Sequence, residues 1–415
     1  MPDNPNNKMA FWRGDDWQLL WPFYLEGGLA TIFYVFVPFL VLYFRSLGMN
    51  ASQIGFLMSA WPLAALLLEV PTGAIADLWG RKVSVIAGYC AEGIFCALLF
   101  FVDSHILVFA LFFLIGSART LASGAQEAWA VDLLGAQNRG DLSSRFFTRY
   151  HSLFNLAFVL SGLVGSLAVY LWGLKAIWMV TAASYFISAT ILLMAEEEFE
   201  PQRATFTGAL KGVWRQTFQT AAYAWQEKSV ALLYTISFLI AMSGIFRSMI
   251  TWTPFLDKFQ YPEEAFGYLW SAMNVLGIVA PLLAYRMLRR IRPRIALIWL
   301  SVITLAYGFF ILATGSLIML LVLILVSAFI FDVRMPITRV FFHRFIPTRI
   351  RSTSGSFEQM LNSGARMISF PLVGILIDTI GAQNTVFIST LFMIPVIGLY
   401  MFIRETPANE DAGEQ

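Results

Sequence analysis

Ionisable residues stand inside apolar runs in the first half of this 415-residue chain, among them Glu26, Glu92, Arg119 and Glu127. The second half carries Arg247, Asp332, Arg334, Arg339, Glu358 and Arg366 in the same kind of setting. A charge held mid-membrane costs about 2.5 to 3.5 kcal/mol on insertion scales, so such residues face a water-filled cavity or one another. Two carboxyls near a cation in low dielectric have their proton affinities pushed apart, which suits a group that takes up and releases a proton during a cycle. A helix rises about 1.5 Å per residue, which puts Glu26 roughly 14 Å along its run and Glu127 at a similar level on a run crossing the other way. Arg119 then lies about 12 Å from Glu127. One expectation is that Glu26 accepts the proton, with Arg119 and Glu127 as the charges that respond; the other is that Glu26 is a structural hydrogen bond between helices. Arg247, Arg334 and Arg366 either converge on an anion or pair with Asp332 and Glu358. Tyr34 and Trp252 are aromatic candidates for lining a pocket that holds a bulky apolar or aromatic substrate.

These side chains need long apolar elements to hold them, and the composition supplies those. The chain is 58% hydrophobic and 13% charged, with positive mean hydropathy, which is too much apolar surface for soluble domains. A span needs roughly 20 mostly apolar residues, and twelve runs qualify. They lie near Trp17 to Phe44, Ala51 to Ala76, Val83 to Val102, Ile106 to Leu134, Tyr150 to Trp172, Ala176 to Ala195, Ser229 to Leu256, Ala265 to Leu288, Pro293 to Ala313, Leu317 to Phe342, Thr353 to Ile377 and Asn384 to Ile403. Helices are expected, because an open sheet edge in lipid leaves backbone polar groups unsatisfied.

Most of the 28 Lys and Arg fall in the connections after even-numbered spans. Arg45, Lys175 and Lys258 are the cations of the opposite loops. The positive-inside rule therefore places both termini in the cytoplasm. A net charge of +2 leaves no basic stripe for nucleic acid. Cys90 and Cys96 share one span and read as packing residues. His105, His151 and His343 are dispersed, without metal-site spacing, and no His, Ser or Cys cluster has catalytic spacing. The expectation is no enzyme, no metal and no cofactor. The first sixteen residues lack a basic n-region and a cleavage site, so the first span is expected to be retained.

Between Glu196 and Lys228 the polarity changes abruptly, with Glu196, Glu197, Glu198 and Glu200 followed by Pro201, Arg203, Lys211 and Arg215. Phe206 to Trp225 reads either as an amphipathic helix at the membrane surface or as a solvated tether. The expected domains are residues 1–195, a linker at 196–228, and residues 229–415. Laying Trp17 on Ser229 also lays Asn138-Arg139 on Ile350-Arg351, a weak internal symmetry of the kind duplicated carriers show.

The connection after the second span reads Gly73-Ala-Ile-Ala-Asp77-Leu-Trp-Gly80-Arg81-Lys82. Gly73 removes a side chain so that a neighbouring helix can approach, Asp77 suits the N-terminus of another helix, Gly80 permits the tight turn, and Arg81 with Lys82 holds the loop inside. This loop resembles the signature of the major facilitator superfamily of secondary transporters, with Leu78 where a cation is common. Arg119 followed by Gly124 is similar to the family's pattern in span four. Ser161-Gly162-Leu-Val-Gly165-Ser166 in span five lacks the proline carried by the drug and proton antiporters.

The resemblance implies an all-α membrane protein, with twelve transmembrane helices in two six-helix bundles that expose a central site alternately to each side. It also implies that Gly73, Asp77, Gly80, Arg81 and Asp132 form a conformational latch, against the plainer reading that these charges only set topology. The activity expected from it is proton-coupled efflux of a small drug-like molecule or secreted metabolite by a monomer in a bacterial inner membrane. Proton-symport uptake, or facilitated transport of an organic anion, is the nearer alternative. A lipid flippase or a non-transporting receptor on a carrier scaffold is an alternative of another class.

Overall fold

The computed structural model describes residues 15–198, 227–346 and 351–403. The surface helix expected at Phe206 to Trp225 lies outside the described residues, as do Lys8, Arg13 and Arg404 on the tails. Among the described residues, twelve helical stretches are long and apolar enough to cross a membrane, and they coincide with the twelve runs read from the sequence.

Several of these spans are broken where the sequence suggested one continuous helix. The first consists of α1 (Asp15–Leu29), two 3-10 turns (Ala30–Phe33 and Val37–Phe39) and α2 (Leu40–Ser46). It is followed by α3 (Ala51–Trp79) and α4 (Arg81–Phe101). The fourth span is α5 (His105–Ala122) with α6 (Ala125–Ala136), and α7 (Ser143–Trp172) and α8 (Ala176–Leu193) come next. Beyond the linker, α9 (Lys228–Phe246) and α10 (Met249–Asp257) share one span, and α11 (Ala265–Arg290), α12 (Pro293–Leu312), α13 (Leu317–His343) and α14 (Arg351–Ile380) each form one. The last span is α15 (Ala382–Leu391) with α16 (Met393–Phe402).

The described helices gather into two compact units. Among the described residues, one takes in 15–43, 67–198 and Glu263–Ser271; the other takes in Phe44–Leu66, 227–262, 272–346 and 351–403. The boundary therefore falls inside α3, after Leu66, and inside α11, after Ser271.

With apolar lipid outside, helices in a membrane associate through close packing rather than through expulsion of water, and small residues make the contact possible. In the first unit α4 packs against α5 and α8 through such a stripe. A Cβ on Gly88 would lie 3.0 Å from the Ala118 carbonyl, and one on Gly93 would lie 3.0 Å from the Phe186 ring. Buried hydroxyls on these helices bond to backbone carbonyls, as with Ser84 to Leu121 at 2.8 Å and Ser184 to Ala30 at 2.8 Å.

In the second unit, Tyr234, Ala280, Leu297, Ile337, Phe341 and Tyr400 belong to one buried apolar cluster. The start of α3 also belongs to this unit, and its capping is legible residue by residue. Asn50 and Gln53 exchange bonds, with the Gln53 amide donating to Asn50 Oδ1 at 2.8 Å and the Asn50 amide donating to Gln53 Oε1 at 3.0 Å. That is the reciprocal arrangement of a capping box. Asp378, near the end of α14, completes it by accepting from the amides of Ala51 at 3.1 Å and Ser52 at 2.8 Å. A carboxylate at a helix N-terminus is favoured by both the free N–H groups and the dipole. Asp378→Ala is therefore expected to cost about 1 kcal/mol, read as a lowered thermal unfolding midpoint of the purified protein; Asp378→Asn should recover part of the loss.

Candidate functional site

Glu26 is 5% exposed, and its neighbour Gly27 explains how one of the four helices around it comes so close. A Cβ on Gly27 would come within 2.7 Å of the Tyr150 ring, so the absence of a side chain there lets α7 close on α1. The Tyr150 hydroxyl then donates to Glu26 Oε2 at 3.3 Å. Gln126 from α6 donates to the same oxygen at 2.6 Å, while Oε1 accepts from Ser188 of α8 at 3.2 Å and from Tyr89 of α4 at 3.3 Å. The Tyr89 hydroxyl also donates to Gln126 Oε1. A phenol has only one proton to give. With that proton on Gln126, the Tyr89 oxygen is free to accept from a protonated Glu26, so the same frame accommodates both charge states of the carboxyl.

Arg119 and Glu127 flank the break between α5 and α6. Gly124 makes the break possible, because its φ of +74° is one that a side chain disfavours. Arg119 sits in the last turn of α5 and Glu127 in the first turn of α6, so each charge matches the dipole of its own helix end. Arg119 lies 3.9 Å from Glu92, whose fully buried carboxylate oxygens have no hydrogen-bond donor among the described residues. Glu26, Arg119 and Glu127 all line one cavity of about 300 Å³. Glu127 is exposed at that cavity and does not bond Glu26; the buried Gln126 beside it does.

The same cavity has an aromatic wall. Tyr150, Phe154 and Phe158 follow at four-residue intervals on α7, with stacked rings 6.2 Å and then 4.7 Å apart. Tyr34, in the short non-helical stretch between the two 3-10 turns, stacks on Phe158 at 5.8 Å, and Trp270 meets Phe158 at 6.0 Å. Nearly three turns from Glu26 along α1, Asp16 is fully buried against Arg149 and accepts from the Tyr24 hydroxyl at 2.9 Å. Neither Asp16, in the polar stretch before the first span, nor Arg149 lies inside an apolar run, so the sequence carries no signal of this pair.

The Gly73 to Lys82 loop brings most of its expected partners together. Arg81 Nη1 lies 2.9 Å from Asp132 Oδ2, and Asp77 lines the same cavity of about 440 Å³. A Cβ on Gly73 would meet no atom within 4 Å, so close helix approach is not what that glycine serves in this conformation. Gly80, with φ +99°, precedes α4, and a Cβ there would lie 3.0 Å from Glu197. Glu197 accepts from the Lys82 amide at 2.9 Å, an acid on the N-terminus of α4. Lys82 Nζ in turn donates to the carbonyls of Leu193 and Ala195 at the end of α8. Trp129 donates to the Glu196 carbonyl at 2.8 Å, and Gln137 donates to Glu198 at 2.7 Å. The described part of the acidic run, Glu196 to Glu198, is thus docked on α4 and α6. Its register, directly after an apolar helix, carried no signal of that contact.

In the second unit, Arg247 caps the C-terminus of α9 and bonds the Ser243 hydroxyl at 3.1 Å; Trp252 donates to the Arg247 carbonyl at 2.9 Å. Arg334 is 4% exposed and bonds Ser301 at 3.2 Å and Thr304 at 3.5 Å. Arg366 is exposed on α14. Asp332 packs on α11, where a Cβ on Gly277 would lie 3.0 Å from its carboxylate, and Glu358 accepts from Ser237 at 2.7 Å.

Residues 27–370 match the family model of the Major Facilitator Superfamily. The chain is 23% identical over 378 residues to the uncharacterized MFS-type transporter YxaM of Bacillus subtilis (strain 168), covering 91% of this chain and 93% of that one. Over a shorter stretch of 178 residues, 41% of each chain, it is 25% identical to a Na(+), Li(+), K(+)/H(+) antiporter of Planococcus maritimus. Among solved structures, a mutant of the nucleoside transporter NupG superposes with a TM-score of 0.78 at 18% identity, covering 93% of this chain and 99% of that one. A bacterial homolog of the human lysosomal transporter Spinster, inward-facing and occupied, superposes at 0.73 with 12% identity, covering 98% and 100%. At these identities the structural likeness is one of fold.

Proposed function

The chain belongs to the Major Facilitator Superfamily and is a secondary transporter of that type, and from this premise we propose that it couples proton movement to the efflux of a small organic molecule. The observation that carries this reading is Glu26: a buried carboxyl framed by neutral donors from four helices, beside the Arg119 and Glu92 pair and open to the same cavity as Arg119. Glu26 accepts the proton, and Arg119 passes its attraction between Glu26 and Glu92 as the charge on Glu26 changes. The stacked Tyr34, Phe154 and Phe158 rings favour a substrate with a planar or aromatic part, which packs on them while Glu127 meets a polar group at the rim. Arg81 with Asp132 and Glu197, aided by Asp77 and Gly80, forms a latch on the loop between α3 and α4. Residues 1–195 and 229–415 act as two lobes joined by the linker at 196–228. The protein works as a monomer in a bacterial inner membrane with both termini in the cytoplasm. The partial likeness to a cation and proton antiporter agrees with exchange against protons.

The test is transport in proteoliposomes under an imposed pH gradient, with labelled aromatic cations, zwitterions and anions. Counter-gradient movement that collapses when a protonophore is added is the expected result. Movement of every substrate at the same rate with and without the gradient would remove proton coupling.

A further inference from the structure

Two guanidiniums are held in the second unit without an acid. Arg334 is 4% exposed, and its described partners are the hydroxyls of Ser301 and Thr304 and the sulfur of Met393. Among the described residues, the Arg247 side chain bonds the hydroxyl and carbonyl of Ser243. Arg247 lies within electrostatic reach of Arg334, and among the described residues neither forms an ion pair with a carboxylate. Of the described acids within the spans of this unit, Glu358 accepts from Ser237, and the Asp332 carboxylate lies over Gly277 on α11. Asp332 also sits two residues from Arg334, about 200° around the helix, so it faces away. Buried charges in proteins are paired, because leaving one bare forfeits its hydration without return. Two like charges side by side deepen that cost.

A second set of atoms is equally unfinished. The hydroxyls of Tyr307 and Tyr400 are buried, at 4% and 0% exposure, and make no well-formed hydrogen bond among the described residues, with Ser327 near the first and Thr338 near the second. Tyr307 lies beside Arg247, and Tyr400 beside Arg334. Phenol and guanidinium groups are donors, and donors left over around two positive charges fit one kind of ligand.

We propose that Arg247 and Arg334, with the hydroxyls of Tyr307 and Tyr400, form a binding site for a small monoanion, with an organic carboxylate as the chemistry of best fit. A carboxylate presents two oxygens, enough to take one fork from a guanidinium and one bond from a phenol at each side. The two sources of such a charge are the carboxylate of a transported substrate and an inorganic halide that accompanies transport. The inference rests on the chain being a carrier and not on proton coupling through Glu26, so binding without transport tests it separately.

The experiment is thermal unfolding and equilibrium titration of the purified full-length protein in neutral detergent, in HEPES buffer at constant ionic strength. Sodium benzoate and sodium chloride are the probes. A saturable rise in unfolding temperature with benzoate is expected, with apparent affinity weakened about tenfold or more in Arg334→Gln and in Arg247→Gln. Arg366→Gln, on an exposed position, should titrate like the wild type. Saturation by chloride with no response to benzoate keeps the site and assigns it to the halide. In the absence of either anion, Arg334→Met should unfold at a higher temperature than the wild type, because it removes an uncompensated charge. Should Arg334→Gln fail to fold, the wild-type titration and Arg247→Gln still decide. The proposal fails if the folded wild type responds saturably to neither anion, or if Arg247→Gln and Arg334→Gln respond as it does.

Discussion

Glu26→Gln leaves exchange of substrate across the bilayer within about threefold of the wild type, while uphill transport driven by a pH gradient falls by about 100-fold, the scale set by losing one proton-handling group. The geometry separates the two effects. Glutamine keeps an oxygen for the Gln126 amide, which donates at 2.6 Å in the wild type, and it places an N–H against the Tyr89 oxygen or Ser188. The frame therefore stays satisfied and the helices stay in place, which keeps expression and unfolding temperature close to wild type. What disappears is the ability to alternate charge beside Arg119. Counterflow and gradient-driven uptake, measured on the same proteoliposomes, read the two quantities. Glu127→Gln is the contrasting variant: its carboxylate is exposed at the cavity and takes no part in the frame, so coupling should survive. Undiminished gradient-driven transport by Glu26→Gln would take this carboxyl out of the mechanism.

Which parts of this site were legible in the sequence follows from what produces a signal. A lone acid in an apolar run stands out, so Glu26, Glu92 and Arg119 were visible, and so was the Gly73 to Lys82 loop, whose glycines and cations are spaced by the turn they make. Gln126 was not visible, because a search for charged residues in apolar runs selects Glu127 and passes over the uncharged amide beside it, although burying that amide also has a cost. The choice between the two depends on the phase of α6 after the break at Gly124, and a continuous helix through that point would have turned a different face inward. The break itself falls in the polar stretch from Arg119 to Glu127, where composition alone does not separate a helix that stops from one that turns a polar face inward. Asp16 with Arg149, and Glu197 on the N-terminus of α4, escaped for another reason: each joins residues over a hundred positions apart, and long-range pairing leaves no local pattern. The twelve spans were the easiest part, since length and hydropathy alone decide them.

Gly162→Leu should be the most damaging single substitution at a position with no charge. Gly162 on α7 and Gly267 at the start of α11 belong to the same unit, and each would drive a Cβ into the backbone carbonyl of the other. Ser271 donates to the Val159 carbonyl at 2.6 Å across the same crossing, so the two helices meet backbone to backbone over a full turn. A carbonyl cannot rotate aside as a side-chain tip can, and the helices must separate, which breaks the serine bond and opens a gap around it. Overpacking of this kind costs about 3 kcal/mol, the upper end of its usual range, and should appear as a large fall in unfolding temperature together with lost transport. Gly244 supplies the control, because a Cβ there meets nothing within 4 Å. Replacing a helical glycine by alanine normally stabilises by about 0.5 to 1 kcal/mol, so Gly244→Ala should raise the unfolding temperature while Gly162→Ala lowers it. One chemical change with opposite signs at two glycines isolates the crossing from helix propensity. If both alanine variants gain stability, α7 and α11 do not approach as closely as the described backbone requires.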